Sequence, residues 1–223
     1  FIELVQAAKA HLPGTALHIL SNGRNFAKSS LAYDLAQVRH HDLMIGIPVY
    51  GDVAHVHDHV VQADGAFDET IRGILELKRH GIRVEIRVVL QKQTVPRLAD
   101  LARFFARNLL FIDHVALMGL ELTGFARANL DQLWIDPADY QDHLVEAAGI
   151  LNRAGMHLSI YNSQLCVLDP SLHRFARRSI SDWKQEYMPE CDGCVAKSDC
   201  AGFFASANLR YSRAIQPIFH SVA

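Results

Sequence analysis

The first 165 residues contain no cysteine, so any thiol chemistry is confined to roughly the last quarter of the chain. No apolar run approaches the roughly 20 residues a bilayer-spanning helix needs, and no basic start followed by an apolar stretch and a small-residue cleavage site marks a secretory signal. These absences set the expectations of no membrane partner and a cytoplasmic location. Net charge is nearly absent too: 22 Lys and Arg stand against 24 Asp and Glu, which gives no general attraction to nucleic acid. No Met opens the chain. Phe1 falls directly inside an amphipathic pattern with Ile2, Leu4, Val5 and Ala8, which reads as a piece cut from something longer.

What is present is an ordinary globular composition, 223 residues with 50% apolar and 21% charged, enough for a sizeable core. After the first helix, Pro13-Gly14 makes a turn, Ala16 to Leu20 an apolar strand, and Ser21-Asn22-Gly23 a polar exit. A helix is expected over 25–40, a strand over 42–50, and a helix over 67–81 with acids early, Lys-Arg-His late and Gly81 as its stop. A strand over 82–90, a helix from Val95 to Asn108, a strand over 112–121 and a helix capped by Asp136 and ended by Gly155 follow. A short strand, "MHLSIYN", comes last. Strands that are near-continuous apolar runs alternating with helices imply a parallel sheet covered by helices. Ligands collect at the carboxyl ends of such strands.

At Cys166 this pattern stops. From there to Cys200 one helix, "SLHRFARRSISDWKQEY", is expected among cysteines and turn residues. The spacing is Cys166, 24 residues, Cys191, two residues, Cys194, five residues, Cys200. A cytoplasmic setting favours metal ligation over disulfides. Uneven spacing with one distant thiol suits an iron-sulfur cube, whereas tetrahedral zinc more often uses two Cys-x2-Cys pairs and only one is present. Spacing alone leaves iron-sulfur, zinc and unligated cysteines open. Phe203 and Phe204 could exclude water, and Arg174, Arg177, Arg178 and Lys197 could offset an anionic cluster. A second tempting group is "HVHDH": on an extended segment His55, His57 and His59 would share a face and, with Asp52 or Asp58, could bind a metal. The alternative is an open loop with solvent-facing imidazoles.

The segments "LSNGR", "IRVVL", "VALMGLE", "SIYNSQLCVL", "SISDWK" and "CDGCVAKSDCAGFFAS" together resemble radical S-adenosylmethionine (SAM) enzymes, most of all the maturase of His-Xaa-Ser repeat systems. That resemblance implies a partial (β/α)6 TIM-type barrel lacking its first two strands over residues 1–157, with a small Cys-rich subdomain and tail over 158–223. By it, Cys166, Cys191, Cys194 and Cys200 hold an auxiliary [4Fe-4S] cluster. Ser21 and Asn22 would touch SAM, Arg87 would face its carboxylate, and Met118, Gly119 and Glu121 would line the adenosine side. The family's Cys-x3-Cys-x2-Cys loop, which holds a second [4Fe-4S] cluster, and its Gly-Gly-Glu-Pro type segment are absent from this sequence. Both would precede Phe1, so the chain by itself is expected not to cleave SAM. The activity implied is modification of a ribosomally made peptide, one that carries His-Xaa-Ser repeats in the likeness, through a 5'-deoxyadenosyl radical. Flavodoxin or ferredoxin would be the electron donor. The competing reading is a zinc-stabilised α/β scaffold without redox chemistry.

Overall fold

The structure is a computed structural model and describes residues 1–178, 180 and 184–219. A five-stranded parallel sheet has the order β1-β2-β3-β4-β5, so strands adjacent in sequence are adjacent in space. Its strands are β1 (Leu17–Leu20), β2 (Leu43–Pro48), β3 (Arg83–Leu90), β4 (His114–Gly119) and β5 (Leu158–Tyr161). The mixed α/β architecture expected from the alternating pattern is therefore present. "MHLSIYN" supplies the sheet's fifth strand. The chain divides into two compact units: Phe1–Val88 with Leu109–Val115, and Val89–Asn108 with Ala116–Ala223.

In the first unit, α1 (Ile2–His11), α2 (Ser29–Gln37), α3 (Ala54–Val61) and α4 (Ala66–Arg79) accompany the strands. Helix α4 forms where Asp68 and Glu69 stand in the first turn and Lys78 and Arg79 in the last, each charge opposing the helix dipole's own end. Its Ile74 and Leu77 are wholly buried, as are Ile45, Ile47, Val84, Ile86 and Val88 of β2 and β3. Burying side chains of this size contributes about 1.5–3 kcal/mol each, which is why the alternating pattern was so readable. On the other face β3 carries Glu85 and Arg87. The register sets Gly46 opposite Glu85 and Pro48 opposite Arg87, and β1 sets Leu20 opposite Gly46.

In the second unit, α5 (Leu98–Asn108) and α8 (Gln141–Arg153) bury Leu98, Leu101, Phe105, Leu144 and Leu151. Two short helices that periodicity did not suggest, α6 (Gly124–Ala128) and α7 (Leu130–Leu133), lie between β4 and α8. Asp136 does cap the turn before α8, accepting from the Ala138 N–H at 2.9 Å. The helix expected over 171–187 is not what forms. Pro170–Phe175 is a 3-10 turn capped by Asp169, Ala176 bridges to Ile160, and Gln185–Glu186 becomes the short strand β6, paired antiparallel with β7 (Phe203–Phe204). Residues 179 and 181–183, the heart of "SISDWK", lie outside the described residues. The extended pairing with Phe203–Phe204 takes the backbone bonds that a helix would have used. Among the described residues no helix is long and apolar enough to cross a membrane.

Candidate functional site

The four cysteines, spread over 34 positions, line one small hollow of about 20 Å³ together with Gln164, Tyr187 and Lys197. None is disulfide-bonded. Cys166 follows β5, Cys191 ends a 3-10 turn over Pro189–Cys191, and Cys194 and Cys200 sit in the turns that follow. Apolar packing of Val167, Met188, Phe203 and Ile215 backs Cys166 and Cys191. Each sulfur is met by a backbone hydrogen bond: Ile218 N–H donates to Cys194 Sγ at 3.4 Å and Gly202 N–H to Cys200 Sγ at 3.5 Å, while Gln216 serves Cys166 and Met188 serves Cys191. Burial pushes the Cys166 and Cys191 thiols above their ordinary value, and the neighbouring cysteines add to the rise, against the pull of those backbone bonds. These two thiols are therefore held in the neutral form, and a metal that bound them would displace their protons. Among the described residues no group of three or more His, Cys, Asp or Glu side chains is drawn together as a site for a single ion. Of the four basic residues expected to offset an anionic cluster, only Lys197 lines the hollow. Arg174 stacks on Phe175, Arg177 donates to backbone carbonyls, and Arg178 donates to Ser198 O.

A second cavity of the same unit, about 60 Å³, opens at the carboxyl end of β4. Gly119 and Glu121, two of the residues expected near a nucleoside, line it with Trp134, Asn162, Phe203 and Ser206. Met118, on β4 and half-buried, is not among its walls. Gly119 has a packing reason of its own: a Cβ there would stand 2.4 Å from the Asn162 carbonyl oxygen, and no side chain fits that approach.

Ser21, Asn22 and Arg87 belong to the first unit. Ser21 Oγ accepts from Gly23 N–H at 3.1 Å and Asn22 Oδ1 from Arg24 N–H at 3.2 Å, so both side chains close the turn that follows β1. Arg87 Nε lies 3.1 Å from Glu85 Oε1, an ion pair off the hydrogen-bond direction. Glu85, 5% exposed, also meets His114 Nδ1 at 2.8 Å and His18 Nε2 at 3.5 Å. Burial raises its pKa, but the His114 hydrogen bond and the charges of His18, His114 and Arg87 outweigh this, and the net shift is downward.

The histidine-rich stretch corrects the extended-segment reading. Residues Ala54–Val61 are helix α3, so His55 and His59 share one exposed side while His57 turns inward and is 2% exposed. Its Nδ1 accepts from the Tyr50 N–H at 3.2 Å, and burial lowers its pKa. The Asp58 carboxylate is taken by the Gly65 and Phe67 amides, both at 2.7 Å. The three imidazoles form no metal-binding face.

Sequence reasoning missed Gln164, which lines both cavities and whose Nε2 donates to Gly202 O at 2.7 Å. Glutamine carries no chemical signature, and its place just before Cys166 was the only clue.

No family model and no curated protein matches the chain. Solved structures do. Streptococcus suis SuiB bound to S-adenosylmethionine matches with a TM-score of 0.55 and 14% identity over 71% of this chain and 35% of that one. SuiB alone gives 0.55 and 14% over 74% and 36%, and SuiB bound to its precursor peptide SuiA gives 0.54 and 12% over 71% and 34%. The chain thus spans about a third of the length of the SuiB chains it matches, and what it shares with that third is the fold.

Proposed function

We propose that this chain is the barrel and auxiliary-cluster portion of a radical SAM peptide maturase, with Cys166, Cys191, Cys194 and Cys200 as the ligands of a [4Fe-4S] cluster. The observation that carries the reading is the convergence of all four thiols, from positions 34 residues apart at the extremes, on one hollow with a backbone hydrogen bond to every sulfur. That donor set fits a cluster: thiolate ligands supply the coordination, and hydrogen bonds to sulfur set its potential. The fold shared with SuiB, solved with both S-adenosylmethionine and a precursor peptide, supports the assignment of cofactor and substrate class.

In this reading SAM and a reduced cluster supply one-electron hydrogen-abstraction chemistry when bound. The chain's own residues orient and shield. Phe203, 3% exposed, and Met188 keep water from the thiols. Gly119 and Glu121 shape the cavity beyond β4. Ser21 and Asn22 fix the turn after β1, which would meet SAM. Arg87 would offer its remaining guanidinium nitrogens to a carboxylate while Glu85 holds its Nε side. A peptide bearing His-Xaa-Ser repeats and a flavodoxin- or ferredoxin-type donor complete the proposal.

Metal content tests it. Protein purified without oxygen should be brown and carry about four irons per chain. Colourless protein with about one zinc would replace this reading with a metal-stabilised scaffold.

A further inference from the structure

The thiol hollow and the cavity beyond β4 share a wall, and that wall is Gln164. Its Nε2 donates to the Gly202 carbonyl at 2.7 Å, and the Gly202 N–H donates onward to Cys200 Sγ at 3.5 Å. Gly202 itself borders the cavity and adopts a φ of +66°, a backbone state in which a side chain is strained. From the other side Gln185 Nε2 holds the Cys200 and Ala201 carbonyls at 3.3 and 2.9 Å, and Arg178 holds Gln185 Oε1 at 2.8 Å. Gln185 thus holds the carbonyl of the Ala201–Gly202 peptide, whose N–H meets the sulfur, and Gln164 holds the carbonyl of the next peptide, so the two glutamines together fix the turn at Gly202 and with it the hydrogen bond to one sulfur. Only one of these faces a cavity. The donors to the other three sulfurs, Gln216, Met188 and Ile218, are not among the residues lining that cavity.

We infer that Gln164 is a positioning residue that couples the cavity beyond β4 to the sulfur of Cys200, so that a peptide side chain entering the cavity tunes the cluster. The inference rests on the reading of the four thiols as cluster ligands. A cavity of about 60 Å³ has room for a small side chain or a few waters. An occupant that draws the Gln164 amide away from the Gly202 carbonyl releases the Gly202–Phe203 peptide, lets the turn at Gly202 relax, and so weakens the Gly202 N–H bond to sulfur. Such bonds favour the more negative, reduced cluster, so weakening one lowers the midpoint potential.

The test is a double-mutant cycle on the iron-loaded full chain, read by redox titration and by the electron paramagnetic resonance of the reduced cluster. Gln164→Met removes the donor at similar volume. Ser206→Leu fills the cavity, at a residue whose Oγ is buried there with no hydrogen-bond partner among the described residues. We expect each single variant to keep full iron and lower the midpoint potential, and Ser206→Leu to cause no further drop once Gln164 is Met. Additive drops, or an unchanged potential in Gln164→Met, would overturn the coupling. Should Gln164→Met fail to fold, Gln164→Glu, whose carboxylate repels the Gly202 carbonyl, must produce the same drop. A wild-type chain that binds no iron refutes the cluster reading itself, a separate result from additivity in a loaded one.

Discussion

The two units are held together by different forces. In the first, the buried faces of β2, β3 and α4 are almost purely aliphatic, and their stability comes from area removed from water. In the second, α5 and α8 follow the same rule, but among the described residues of 162–219 the regular elements are two-residue strands and 3-10 turns. There the backbone is held by side chains: Gln164 and Gln185 on the turn at Gly202, His173 Nε2 within 3.0 Å of Leu165 O, and Tyr187 OH donating to Lys197 O at 2.8 Å. The comparison teaches that one region is built on an apolar sequence pattern, while the other leans on side-chain bonds to its backbone and, in the proposed reading, on a cluster held by its sulfurs.

The largest expected effect follows from that difference. Stripping metal with a chelator, or replacing Cys194 by Ser, should expose residues 164–219 to limited proteolysis while hydrogen exchange in β2, β3 and α4 stays slow. Equal loss of protection in both regions would erase the distinction drawn here. Loading should also weaken as pH falls, because the raised pKa values of Cys166 and Cys191 keep protons on the sulfurs that the metal must displace. Iron retained per chain, measured across pH, checks this.

Next in size, Ile86→Ala, at a site wholly removed from solvent, should cost about 2–5 kcal/mol in denaturant unfolding of the first unit and leave iron content unchanged. In the second unit Asp136 ties the C-terminal segment to the start of α8: it accepts from Ser212 Oγ at 2.5 Å and from Arg213 at 2.9 Å, besides its cap bond. Asp136→Ala should cost about 2–3 kcal/mol. Burial raises the pKa of this carboxyl, but the bonds from Ser212, Ala138 and Arg213 bring it below the ordinary 3.8. Its contribution is thus complete above that value and is lost as pH falls through the lower folded value. The wild-type chain should show this acid loss and Asp136→Ala should not. The smallest change, Asp169→Ala, removes the cap bond to Ser171 N–H at 2.9 Å and should lower stability by about 1 kcal/mol.

Most of the sheet was legible because Ile45, Ile47, Ile86 and Val88 lie in near-continuous apolar runs that only a covered strand explains. Helix α3 was not, since His55, His57 and His59 gave an alternation that suited an extended face equally well. Only the packing of His57 against Tyr50 and Phe67 decides for the helix. The stretch after Pro170 misled for the opposite reason: its Leu172, Phe175 and Ile180 have near-helical spacing, yet β6 found a tertiary partner in β7. The thiols were legible as a group by chemistry, and their meeting on one hollow needed the fold.

The segment beyond the last cysteine has a practical consequence for anyone choosing where to end the polypeptide. Gln216 and Ile218 furnish two of the four amide contacts that the sulfurs receive. A version stopped soon after Cys200 would keep all four thiols and lose two of the four amides that meet them.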